Sequence, residues 1–344
     1  MKKYFGIILL LFQISWVACR PAPKPAMGKN ITDGQPKISY LDSIAAAQEI
    51  IREDVDSFFQ KINAIDIQIQ MKRPKPFDNI TEAKDSFRRF LQSEVLDFQA
   101  ADTVFLGQIM NEAFARIKSI NPKLIPPQIQ FVKIRPNHYG KDVYYTRNET
   151  IFVPENIFEN PNLERQLPIF IHEIWHILSR KNPVLREQTY PLIGFKRHGL
   201  KLQYPEELKK QLLTNPDGAM DFYYIQLQSP TAGLQKAIPL IFAGSKEVKP
   251  GKAFFDYLQF DLYLVNEHGQ IQTKGGTKTS IPMDAMPDFF RQIKDNTQYI
   301  IHPEEIMADN FMLLVNTLHE KRMAQYSPQG KKLAEELLKI LKAF

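Results

Sequence analysis

Two histidines stand four residues apart in the run Leu167 to Lys181, as His172-Glu173-Ile174-Trp175-His176. On a helix that spacing places both imidazoles on one side, one turn apart, where two ring nitrogens can converge on a single ion. Glu173, one position on, is rotated off the ligand line but stays beside the ion, placed to hold a water and remove its proton. The chemistry implied is hydrolysis by an activated water, with one Zn2+ per chain as cofactor. The plainer reading is a pair of hydrogen-bonded core histidines. Against it, Leu167, Ile171, Ile174 and Leu178 define a buried face that Ile169, Phe170 and Ile177 widen. Two imidazoles and a carboxylate on so apolar a helix are costly to bury without a charge partner.

A tetrahedral zinc site that keeps one position for water needs a third protein ligand. The strongest candidate lies in His302-Pro303-Glu304-Glu305-Ile306-Met307-Ala308-Asp309. Glu305 and Asp309 share a helix face, so Glu305 can bind the ion while Asp309 accepts the second ring N–H of a ligand histidine, with Ala308 leaving room. Glu187, His302 and Glu304 are the competing third ligands. Tyr223, Tyr224, His198 and Arg147 are candidates to stabilise an oxyanion. His138 and His268 sit in turn contexts and are expected to face solvent, and Asn215-Pro216-Asp217-Gly218 is a turn by composition.

These two segments together resemble the gluzincin branch of the zincin metallopeptidases, in which a first helix supplies two histidines and the base and a later helix supplies Glu-x-x-x-Asp. The resemblance implies His172, His176 and Glu305 as metal ligands, Glu173 as general base and Asp309 as the partner of His172. It implies a peptide or protein substrate, paired with an edge strand near Tyr144 or Ile151. It also implies an α+β fold: a zincin-like catalytic domain with a mainly helical amino-terminal region. His176 and Glu305 are 129 positions apart, so a long β-rich insertion must separate the two ligand helices, which closure entropy permits. Two rival readings stand beside the peptidase: a zinc amidase acting on a cell-envelope substrate, and a non-catalytic surface lipoprotein serving as a binding module.

The elements that must position these residues follow from periodicity and breakers. Apolar spacing predicts helix from Tyr40 to about Lys72, ended by Pro74 and Pro76, and again from Thr81 to Ile120. Short β-like runs follow at Ile129–Ile134, Val143–Thr146 and Thr150–Val153, then at Phe222–Leu227 and Tyr257–Val265. Helices from Pro303 to about Arg322 and from about Gly330 to the end close the chain. The domain reading is a helical region over 38–125 and the metallohydrolase domain over 126–344, with 200–299 as the β-rich insertion.

Residues 1–19 read as a secretory signal: Lys2 and Lys3, an apolar stretch from Tyr4 to Ile14, then Ser15-Trp16-Val17-Ala18 before Cys19. That segment resembles a bacterial lipobox, which implies lipidation of Cys19 and a membrane-anchored protein of the cell envelope. Cys19 is the one cysteine, so the mature chain has no disulfide. Residues 20–37 form a proline-rich, solvated tether. A formal charge of +6 on 344 residues, with no basic run interleaved with aromatics, gives no case for nucleic acid.

Overall fold

The computed structural model describes residues 36–218, 222–249 and 251–344. The signal segment, Cys19 and most of the tether lie outside the described residues. Lys37, expected to end the tether, instead opens strand β1 (Lys37–Tyr40). Helices α1 (Ser43–Glu49), α2 (Phe58–Lys61), α3 (Ala64–Gln70) and α4 (Ile80–Ser93) follow, then β2 (Val95–Leu96) and α5 (Ala100–Lys118). The expected helical unit over 40–72 is thus three helices. Asp42 and Asn63 each cap a fresh start, accepting from the N–H of Ala45 and of Ile65 and Asp66, and Ser57 between them takes a left-handed φ of 62°. The stretch over 81–120 is likewise two helices, because Val95 and Leu96 leave helix to pair with a strand.

Strands β3 (Gln128–Ile134), β4 (Tyr145–Arg147) and β5 (Thr150–Pro154) complete a five-stranded mixed sheet. Its order is β1-β3-β5-β4, with β2 antiparallel to β3. β1, β3 and β5 are parallel, and β4 runs antiparallel to β5 as an edge strand. Successive side chains enter different cores. Ile129, Phe131, Ile151 and Val153 pack against α5 and helix α6 (Leu163–Lys181), whereas Val132, Ile134 and Phe152 pack with Phe58, Phe59, Ile67 and Phe87. The sheet is covered on both faces, and the region expected as 38–125 supplies one wall through α1–α4, part of the other through α5, and two of the strands.

Helix α6 begins four residues before the expected start at Leu167. Asn162 accepts the Arg165 N–H at 2.9 Å, and Pro168 is carried inside the helix. The missing N–H would have reached the carbonyl of Glu164, an exposed residue of the first turn, where water can replace it.

After α7 (Pro183–Thr189), strand β6 (Phe195–Arg197) and the short α8 (Glu206–Lys209), three long strands follow: β7 (Tyr223–Ser229), β8 (Gly233–Ala243) and β9 (Leu258–Leu264). With β6 they form a four-stranded antiparallel sheet in the order β6-β7-β8-β9, flanked by α9 (Met286–Ile293). β8, the longest, has no counterpart among the expected strands. Its run Ala237–Ile241 is buried without alternation, and Pro239 inside it argues against a strand on sequence grounds. This sheet is not sealed off as an insertion. Ile225, Leu227, Ala237 and Leu262 join the core around α6, and Ile241 and Ala243 join the core of the amino-terminal helices.

Helix α10 (Pro303–His319) lies against α6, with the rings of Trp175 and Phe311 5.3 Å apart. His302 caps it, its Nδ1 accepting the Glu304 N–H. The last helix, α11 (Pro328–Ala343), buries Leu333, Leu337 and Leu341 in the same core. The fold mixes helices and strands and is compatible with the expected α+β class.

Candidate metal centre

The packing of α10 on α6 brings the two expected segments together. His172 Nδ1 lies 2.9 Å from Asp309 Oδ1, and its Nε2 is 3.2 Å from Glu305 Oε2. His176 Nε2 is 3.6 Å from that same Glu305 oxygen. The Nδ1 of His176 lies 3.0 Å from Glu304 Oε1. Each imidazole is therefore tied through Nδ1 to its own carboxylate on α10, which fixes the tautomer and turns both Nε2 atoms toward one carboxylate oxygen. His176 Nε2 is fully buried and has no hydrogen-bond partner among the described residues. His172 Nε2 is within hydrogen-bond distance of that oxygen and His176 Nε2 is not; two ring nitrogens and one carboxylate oxygen are a donor set that fits a divalent metal.

The supporting contacts are as specific. Asp309 Oδ2 accepts from the Thr297 hydroxyl, and Glu305 Oε1 accepts from Asn215 Nδ2 at 2.6 Å. Glu304 accepts from the hydroxyls of Ser179 and Tyr190 and lies 3.4 Å from Arg186 Nε. Burial works to raise the Glu304 carboxyl, but Arg186, His176 and Ser179 together hold it well below the usual carboxylate range.

Glu173 is held by strand β4, whose Thr146 hydroxyl donates to its Oε2 at 2.6 Å. Burial, with the charge of Asp217 beside it, pushes the Glu173 carboxyl up to about 7, while His176, His172 and Thr146 pull the other way. That suits a group that takes and returns a proton near neutral pH. His172, Glu173 and His176 each offer a ligand atom within 4.8 Å of the others, and so do His176, Asp217 and Glu305.

The competing ligands fall elsewhere. Glu187 is on the outer side of α7, 3.7 Å from Arg197, and His302 serves as the cap of α10. Glu304 touches the site through the far nitrogen of His176. Among the oxyanion candidates, Arg147 is buried in an aromatic cage, Tyr223 packs on Tyr190, and Tyr224 and His198 sit near one another on the second sheet. His268 is exposed, but His138 is not: it is 2% accessible, bonded through Nε2 to Tyr145 Oη, and burial pushes it down to about 3. The turn context misled because the following Tyr139 and Tyr145 fold over the ring.

Three residues of the centre had no signal in their local sequence: Thr146, Asp217 and Tyr299. The ring of Tyr299 stacks on His172 with centroids 6.2 Å apart. Burial raises its hydroxyl well above the ordinary range, and the charges of Glu305, Asp217, Asp309 and Glu173 add to this, so it remains a donor. Comparison of the chain with protein-family models, with curated proteins and with solved structures finds no match.

Proposed function

We propose that this chain is a zinc-dependent hydrolase of zincin-like design, a peptidase, with His172, His176 and Glu305 as the metal ligands and Glu173 as general base. The observation that carries the reading is the convergence of the two Nε2 atoms on Glu305 Oε2, each histidine being anchored behind by its own acid. Zinc held by His172, His176 and Glu305 would supply a Lewis acid able to acidify a water and polarise a carbonyl. Glu173 Oε2, oriented by Thr146, takes the proton from the attacking water and passes it to the leaving amine. Tyr299, whose ring stacks on His172 and whose hydroxyl stays protonated, would serve as the donor to the developing oxyanion. An extended peptide would pair with edge strand β4, beside which Glu173 lies. Cys19, as the lipidated residue of the expected signal, would tether the enzyme to a bacterial membrane. Among the described residues no helix is long and apolar enough to cross one.

A zinc amidase would use the same parts. The test therefore starts with metal. Purified protein is expected to hold close to one zinc per chain, and His172→Ala to lose it. Glu173→Gln is expected to keep zinc and lose about 10²–10⁴-fold in hydrolysis of a peptide library. Equal cleavage by the variant would remove Glu173 from the base role, and a metal-free chain that stays folded would remove the zinc reading.

A further inference from the structure

Strand β4 is the edge on which a substrate would lie, and its outward-facing groups are already taken. Arg147 and Thr150 flank the two-residue turn Asn148-Glu149, so Thr146, opposite Ile151, directs its N–H and C=O away from β5. The N–H donates to Asp217 Oδ1, and the C=O accepts from Arg180 Nη2 at 2.9 Å. Arg180 Nη2 also donates to the Asp217 carbonyl at 2.9 Å, so the guanidinium bridges the edge strand to the loop.

That loop is pinned at several points. Leu213 N–H donates to the Ile241 carbonyl, Thr214 N–H to Asp66 Oδ2 at 2.7 Å, and Asn215 both holds Glu305 and accepts the Asp217 N–H at 3.1 Å. Gly218 is pressed against the start of α10: a Cβ there would come within 2.8 Å of the His302 ring and 3.1 Å of Glu304 Cβ. The result is that the Asp217 carboxylate, 6% accessible, sits with a ligand atom within 4.8 Å of those of His176 and Glu305. His176, whose Nε2 is buried without a hydrogen-bond partner among the described residues, belongs to the same group of residues.

We propose that Asp217 is a fourth protein ligand of the same metal ion, and that the segment 213–218 thereby holds the centre in a latent form. The inference rests on the zinc reading above. Four protein ligands close a zinc site, whereas hydrolysis needs one position for water. An extended peptide that pairs with Thr146 has to displace Asp217 from the strand and from the metal in one movement. The chain's own loop thus competes with substrate for both.

Full-length protein is loaded with zinc for affinity and with Co2+ for its visible spectrum, as wild type, Asp217→Asn and Asp217→Ala, with Glu187→Gln as a surface control. Wild type is expected to give a four-coordinate cobalt spectrum that acetohydroxamate leaves unchanged. The Asp217 variants should bind zinc at least about tenfold more weakly, shift their cobalt spectra with acetohydroxamate, and cleave peptide faster. Wild type that binds zinc and responds to acetohydroxamate overturns the proposal even if the variants fail to fold. So does an Asp217 variant with wild-type zinc affinity. Wild type that binds no zinc overturns the zinc reading itself, and with it this one.

Discussion

Glu304 shows how a residue outside the proposed ligand set could control it. Its carboxylate meets His176, Ser179, Tyr190 and Arg186 in a region with no solvent access. Glu304→Gln keeps the size and removes the charge, which takes away the largest opposing charge beside Arg186 and weakens the anchor of His176. Breaking a buried charge pair this way costs about 3–5 kcal/mol, and loss of a histidine's outer partner lowers metal affinity about 10–100-fold. Chemical unfolding and zinc titration of the variant measure both, and unchanged zinc affinity would deny Glu304 the anchoring role. The histidine pair was legible because its geometry is local: a four-residue spacing has one meaning on a helix. The role of Glu304 was not, since nothing in Glu304-Glu305 says which carboxylate faces Nε2 and which faces Nδ1. Asp217 and Tyr299 were less legible still. Their neighbours in space are far away in sequence, and a turn composition such as Asn-Pro-Asp-Gly reads the same on a surface loop as in a site.

At the scale of elements, the meeting of α3 with the loop before β7 is held by Asp66. It is fully buried and accepts from Gln70 Nε2 at 2.8 Å and from the Thr214 N–H. Burial pushes its carboxyl from 3.8 up to about 7, and those two hydrogen bonds only moderate the shift. Between about pH 4 and pH 7 the folded chain keeps a proton that the unfolded chain has released. Stability from this residue is therefore fully present at low pH and falls as pH rises, by up to about 1.4 kcal/mol per unit. Asp66→Asn has no such titration, so its stability relative to wild type should climb across that window. Urea unfolding at pH 4.5 and pH 7 tests it, and a constant difference would refute the assignment. Element types were readable wherever one face is apolar, as in α6, α10 and α11. Boundaries failed where a few residues change partner: Val95 and Leu96 leave a helical stretch because β3 offers hydrogen bonds, and β8 hides behind Pro239.

Over the whole molecule, the amino-terminal helices and the first sheet are joined by Arg147. Its guanidinium lies 5.0 Å from the Phe58 ring, 4.9 Å from Phe59 and 5.1 Å from Phe152, and it donates to the Ile50 carbonyl. Desolvated contacts of this kind are worth about 2 kcal/mol or more. Arg147→Ala, which also leaves a cavity, should therefore cost about 2–4 kcal/mol. Unfolding should stay a single transition, because the sheet's two faces belong to different cores and neither survives alone. Two separable transitions, or a loss under about 0.5 kcal/mol, would show that the helical region is an independent domain after all. The expected division at residue 125 came from a change of texture along the chain. Texture marks where element types change and carries no information on which faces they share.

The three-residue strand β4 has a further consequence. It ends its sheet, and an exposed edge strand is a template onto which another extended chain can add. Here Asp217 and Arg180 take up the outward N–H and C=O of Thr146, so the edge is blunted for as long as the loop stays down. Any event that lifts the loop bares that sheet edge to another extended chain. If the loop holds the centre latent as proposed, the same contact also keeps this edge from adding to another chain.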